Sequence, residues 1–166
     1  MGKLLLLFTF FPCICIFAFE KPIILSDGSS SYIMERVIET LKEQKHEYTI
    51  EQIANPQIAS RFAKLPPQEV PNLGLSKDAV WVRFRVANES KTTERWLLEI
   101  RYNNINHLDL YYGDIPGRYK HLRTGSDLPY NTRDIDTRNF VFDLDIKTGE
   151  TTTFYLRIQT QNAMTF

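Results

Sequence analysis

Aromatic rings alternate with arginines at two places in this chain. Trp81-Val-Arg83 and Tyr155-Leu-Arg157 each set a ring two residues from a guanidinium, and in an extended chain residues two apart share a face. A flat ring covers the C–H face of a sugar, while a guanidinium fork grips hydroxyl or carboxylate groups through charge-assisted hydrogen bonds. Arg133 lies on a long polar stretch that is placed to close over such a face. Trp81, Arg83, Arg133, Tyr155 and Arg157 are therefore the candidate ligand-binding residues. A bland reading of the same residues stands beside this one: Trp81 fills a second core layer under a loop, and the arginines pair with Glu99 and Asp109. Rings open to solvent favour the first reading, and a dry face covered by a loop or partner favours the second.

Other chemistry finds less support. His46, His107 and His121 lie too far apart in sequence to suggest a shared metal site. Asp134 with Asp136, and Asp143 with Asp145, share a face at period two and have the form of a calcium chelate or an acid–base pair. Asp143 and Asp145, however, alternate with Phe142, Leu144 and Ile146, which makes them the wet side of a strand. No nucleophile elbow, phosphate loop or zinc-protease helix occurs. The expectation is a non-enzyme without cofactor or metal.

Strands must position these residues. Val80, Val82, Phe84 and Val86 form one face of a segment whose other face holds Trp81, Arg83 and Arg85. Trp96, Leu98, Ile100 and Tyr102 repeat the pattern, as do Leu108, Leu110 and Tyr112; Phe140, Phe142, Leu144 and Ile146; and Phe154, Leu156 and Ile158. Five such segments, separated by turn clusters at Asn88 to Ser90, Gly113 to Gly117 and Thr148 to Glu150, predict an all-β, mostly antiparallel sandwich or barrel. Gly117 to Arg138 reads as one long polar loop. Before the strands, the four-residue spacing of Ile33, Val37 and Leu41 predicts a helix over Ser31 to Gln44, with strand pairing of Tyr32 to Ile38 as the alternative. Thr49-Ile-Glu-Gln52 has the spacing of a capping box, with Asn55-Pro56 as the stop. Pro66, Pro67 and Pro71 predict a rigid connector.

With 166 residues, 43% hydrophobic and 24% charged, the chain has the size and composition of one globular domain. Its 20 basic and 20 acidic residues leave no net field to draw nucleic acid or an anionic membrane surface. At the N-terminus, Lys3 is followed by an uncharged stretch from Leu4 to Phe19, with Ala18 just ahead of the first acid, Glu20. This is the layout of a signal peptide over residues 1–18, with export of residues 19–166 to the periplasm or another extracytoplasmic face. A spanning helix wants roughly 20 apolar residues, and Pro12 falls inside this run; an uncleaved anchor is the alternative. Both cysteines, Cys13 and Cys15, lie in the same stretch. A mature chain would then have no disulfide framework and no thiolate chemistry.

Read in order, Tyr48-Thr-Ile-Glu-Gln-Ile53, Leu73-Gly-Leu-Ser76, Ala79-Val-Trp-Val-Arg-Phe84 with Asn88, Trp96-Leu-Leu-Glu-Ile100, Leu108-Asp-Leu-Tyr-Tyr112, Gly125-Ser-Asp-Leu-Pro129 with Arg133, Arg138-Asn-Phe-Val-Phe142 and Thr153-Phe-Tyr-Leu-Arg-Ile158 resemble a known family. It is the extracytoplasmic domain, second type, of bacterial seven-transmembrane receptors with diverse intracellular signalling modules. The resemblance implies a jelly-roll sandwich like that of carbohydrate-binding modules, to which the spacings read above add a short N-terminal helical segment. It also implies a membrane-embedded receptor portion and a cytoplasmic kinase, cyclase or phosphatase output. No membrane bundle follows Phe166, so the expectation is a sensory domain truncated at its C-terminal end. The function expected from it is sensing of a carbohydrate or other small ligand. The alternative is an interaction module that packs on a partner or a second copy and positions the receptor.

Overall fold

A computed structural model describes residues 21–34, 37–44, 47–64, 72–74, 78–115, 117–161 and 164–165. The expected signal peptide, the three connector prolines and His46 lie outside them. In chain order the elements are β1 (Ile23–Leu25), β2 (Glu39–Lys42), α1 (Ile50–Ala54), α2 (Pro56–Ala59), β3 (Ala63–Lys64), β4 (Asn72–Gly74), β5 (Val80–Asn88), β6 (Arg95–Ile100), β7 (His107–Ile115), β8 (Arg118–Thr124), β9 (Phe140–Asp145), β10 (Thr151–Gln159) and β11 (Met164–Thr165).

The larger sheet runs β3-β2-β5-β10-β7-β8 and is antiparallel throughout this order. β1 adds to it in parallel, pairing with Ala87 and its neighbours on β5 while β2 pairs with Val80 to Arg83. β6 and β9 form a two-stranded antiparallel sheet, and β4 pairs with β11 in another. The alternating apolar faces meet as predicted. Val82, Phe84, Leu110, Tyr112, Phe154 and Leu156 of the large sheet pack with Leu98, Ile100, Phe140, Phe142 and Leu144 of the β6–β9 pair. Phe154 stacks between Phe84 at 5.1 Å and Tyr112 at 5.3 Å. Fully burying each such side chain contributes about 1.5–3 kcal/mol. The result is an open, mostly antiparallel β-sandwich with two short helices.

Two expectations fail locally. The helix predicted over Ser31 to Gln44 is absent from its second half, where β2 pairs with β3 and β5. Ile38 enters the main core while Leu41 enters a second apolar layer on the other side of the sheet. Burial on both faces hides the period-two signal and leaves the four-residue spacing in view. The polar stretch from Gly117 to Arg138 also contains a strand, β8, which pairs with β7 as a hairpin after a turn in which Gly117 takes φ 83°. The helical segment itself falls where the capping box placed it. Thr49 Oγ1 accepts from Gln52 N at 3.4 Å, and Gln52 Oε1 accepts from Thr49 N at 2.9 Å. Asn55 then caps α2, with Pro56 in its first turn.

Candidate functional site

Strand pairing makes neighbours of four of the five candidate residues. On β5 and β10, Trp81 lies opposite Arg157 and Arg83 opposite Tyr155. The registers with β2, β7 and β8 extend these pairs into two rows across the sheet: Leu41, Trp81, Arg157, Asp109 and Arg123, and beside it Glu39, Arg83, Tyr155, Tyr111 and His121. One face of the sheet therefore holds rings, guanidiniums and carboxylates together, as parity predicts.

That face is not open to solvent. Trp81 is 0%, Arg83 4% and Tyr155 5% exposed, because Leu41, Ile50, Ile53 and Phe62 pack on it. The cover is the chain's own segment from β2 through α2. Its acids neutralise the arginines. Arg83 donates to Glu39 Oε2 from Nε at 2.9 Å and pairs with it from Nη2 at 2.8 Å, and its Nη1 donates to Ala59 O at 3.1 Å. The Arg83 guanidinium also lies 4.3 Å from the centre of the Phe62 ring. Arg157 makes a two-pronged contact with Glu43, from Nε at 3.1 Å and from Nη2 at 3.0 Å, while Trp81 Nε1 donates to the same carboxylate at 2.6 Å. Burial, with Tyr119 beside it, pushes the Tyr155 phenol up to about 12. The partners differ from the two acids named in the bland reading. Glu99 pairs with Arg101, and Asp109 meets His121 at 2.7 Å and Arg123 at 3.5 Å. Glu39, Leu41 and Glu43 alternate at period two, a strand signal that the helical spacing masked.

Arg133 is elsewhere. It lies over the rings of Tyr130 and Phe140, and its Nη1 donates to the carbonyls of Thr137, Arg138 and Asn139 at 2.7, 2.9 and 3.2 Å. Phe140 belongs to the main core on the opposite face of the sheet. The loop that carries Arg133 is thus folded on itself, and the structure does not bring this guanidinium to the other four.

A concave site is found on the other side of β5, at the edge of the sandwich. The segment from Ser26 to Met34 leaves β1 and borders a cleft of about 450 Å³ whose far wall is β6. This volume lies within the range of roughly 300–1,000 Å³ typical of small-molecule pockets. Tyr32 and Trp96 meet edge to face in its wall with centroids 6.1 Å apart. Two clips hold the segment. The Tyr32 hydroxyl accepts from Ser26 N at 2.7 Å and donates to Ser26 O at 3.2 Å. Asp27 accepts from Ser90 Oγ, from Lys91 N at 2.9 Å and from Thr92 Oγ1 at 2.7 Å, donors that hold its carboxyl well below the usual range. Asn88, fully buried, fixes the turn that supplies these donors by giving its amide protons to Thr93 O and Ile146 O at 2.8 and 2.7 Å. Sequence reading placed Trp96 in the core and attached no site to residues 26–34; the serine run from Ser29 to Ser31 was its visible mark.

Among the described residues, no group of three or more His, Cys, Asp or Glu side chains is arranged to hold a metal ion. No described helix is long and apolar enough to cross a membrane.

The cleft at the edge of this β-sandwich is a concave, largely apolar site of the kind that small molecules occupy. The 7TMR-DISM extracellular 2 family matches residues 35–166, and the chain belongs to that family, the extracellular sensory domain of seven-transmembrane receptors. Its place is extracytoplasmic. No curated protein matches the chain.

Proposed function

We propose that this domain senses a carbohydrate or other small ligand in the cleft between residues 26–34 and β6, and relays its occupancy to the membrane-embedded part of a receptor. It does so as a binding module and not as an enzyme, after export directed by residues 1–18. The observation that carries this reading is the cleft itself, of small-molecule volume and walled by an aromatic pair. Trp81, Arg83, Tyr155 and Arg157, the residues first put forward as ligand contacts, act in this reading as the layer that locks the β2–α2 segment to the sheet. Arg133 holds its own loop.

The test is thermal unfolding of the domain against a library of sugars, organic acids and apolar metabolites, with a Ser31→Trp variant in parallel. Ser31 is exposed at the rim of the cleft, so the indole blocks entry without entering the core. A ligand that raises the melting temperature of the parent and not of Ser31→Trp supports the reading. Equal stabilisation of both proteins places the ligand elsewhere. The interaction-module reading is favoured by Leu97, which lines the cleft and is 64% exposed, and by Ile24 and Ile33, large apolar side chains that are 42% and 78% exposed. Absence of any ligand response, together with a concentration-dependent dimer weakened by Leu97→Lys, would select it.

A further inference from the structure

The cleft also restricts what can fill it. Its floor is hydrocarbon: Leu25, Phe84, Val86, Leu98, Leu144 and Ile146 all line it and all belong to the main core. Several polar groups at the rim already have partners within the chain. Asp27 and Tyr32 are held by the two clips, Ser29 Oγ donates to Ser31 O at 3.0 Å, and the Arg95 guanidinium is paired with Asp143. The two charged residues in the lining, Asp27 and Arg95, are opposite in sign. A polyhydroxylated sugar pressed onto this floor gives up hydrogen bonds to water and finds none there to replace them. A hydrocarbon body gains in proportion to the area it buries.

Trp96 carries the buried unpaired group of this wall. Its Nε1–H is buried and has no acceptor, although a buried indole N–H ordinarily finds one. The ring packs edge to face on Tyr32 and both rings line the cleft, so the cleft is the space beside this indole from which an acceptor can be supplied. An acceptor delivered there removes an unsatisfied group as it binds.

Resting on the sensory reading above, we infer that the cleft takes an uncharged, mainly hydrocarbon ligand with one hydrogen-bond acceptor, its chain on the aliphatic floor and its acceptor at Trp96 Nε1.

Methyl decanoate, decanoate, maltose and glucuronate serve as probes, each titrated calorimetrically and by the indole N–H resonances of the protein. Methyl decanoate is expected to bind, to move the Trp96 Nε1–H resonance downfield and to leave that of Trp81 in place. Decanoate binds more weakly, and neither sugar competes. Trp96→Phe keeps an aromatic ring beside Tyr32 but removes the donor, and weakens the ester about tenfold, the loss of one ordinary hydrogen bond. The wild-type resonance shift tests the donor even if the variant folds poorly. Ester binding without that shift, or unchanged in Trp96→Phe, overturns the assigned acceptor site. Sugar binding blocked by Ser31→Trp overturns the ligand class and leaves the sensory reading standing. Failure of methyl decanoate to bind overturns the class as well, while the library screen judges the sensory reading separately.

Discussion

Arg157, Glu43 and Trp81 form one buried unit, and its members are worth little apart. Glu43 is 5% exposed and accepts from both other side chains. Arg157→Met leaves this carboxylate buried with its countercharge gone, which costs about 3–5 kcal/mol. In Arg157→Met with Glu43→Leu the charge is removed with its partner, and most of that loss returns, less about 1–3 kcal/mol for the indole donor left without an acceptor. Urea unfolding of the parent, the two single variants and the double variant measures the coupling. Additive single losses would show that the contact contributes nothing specific. The sequence made the grouping of Trp81 with Arg83 and of Tyr155 with Arg157 legible, since parity within a strand is local geometry. It did not reveal Glu39 and Glu43 as their partners, because that pairing depends on which strand lies beside β5.

At the scale of elements, the β2–α2 segment converts an outward sheet face into a second apolar layer. Its anchor is the capping box that starts α1 and aims Ile50 and Ile53 at Trp81 and Tyr155. Thr49→Ala removes one side-chain acceptor and is expected to cost about 1 kcal/mol. The cap is local, so hydrogen exchange of residues 50–59 should rise by more than exchange in β5 and β10. A uniform rise across the sheet would contradict the separate role given to this segment. The capping box was readable because its two residues are three apart. β8 was not, since its alternation of Tyr119, His121 and Arg123 with Lys120 and Leu122 supplies one small apolar contact to the core and no stripe.

At the scale of the molecule, the centre of the large sheet at β5 and β10 is buried on both sides, by the β6–β9 pair on one and by the helical segment on the other. Tyr155 reports on the second layer. Its phenol is neutral when buried and titrates at about 12 against the ordinary 10.0. The folded state therefore binds this proton more tightly than the unfolded chain does, and the stabilisation is complete below pH 10 and declines as pH rises toward 12. A shift of that size corresponds to about 2–3 kcal/mol. Tyr155→Phe has no proton to lose, so its unfolding free energy should fall less steeply between those two pH values. Parallel slopes for the two proteins would place the alkaline transition on another group.

Period-two alternation determined the strands β5, β6, β7, β9 and β10 and the inward set of each, because side-chain direction in an extended chain follows from covalent geometry alone. The order of motifs likewise pointed to the family. What covers each face was decided by tertiary structure. Trp81 meets its acceptor across 38 residues of chain and Arg157 meets the same acid across 114, separations at which no local pattern specifies a partner. A ring beside an arginine has the same sequence signature whether it faces a ligand or a carboxylate of its own chain. The cleft arises in the same way, from a segment that leaves β1 and a strand about seventy residues later. Phe84, Val86, Leu98, Leu144 and Ile146 of its floor are residues that the alternation assigned to the core, and only the spacing between the layers leaves a cleft beside them.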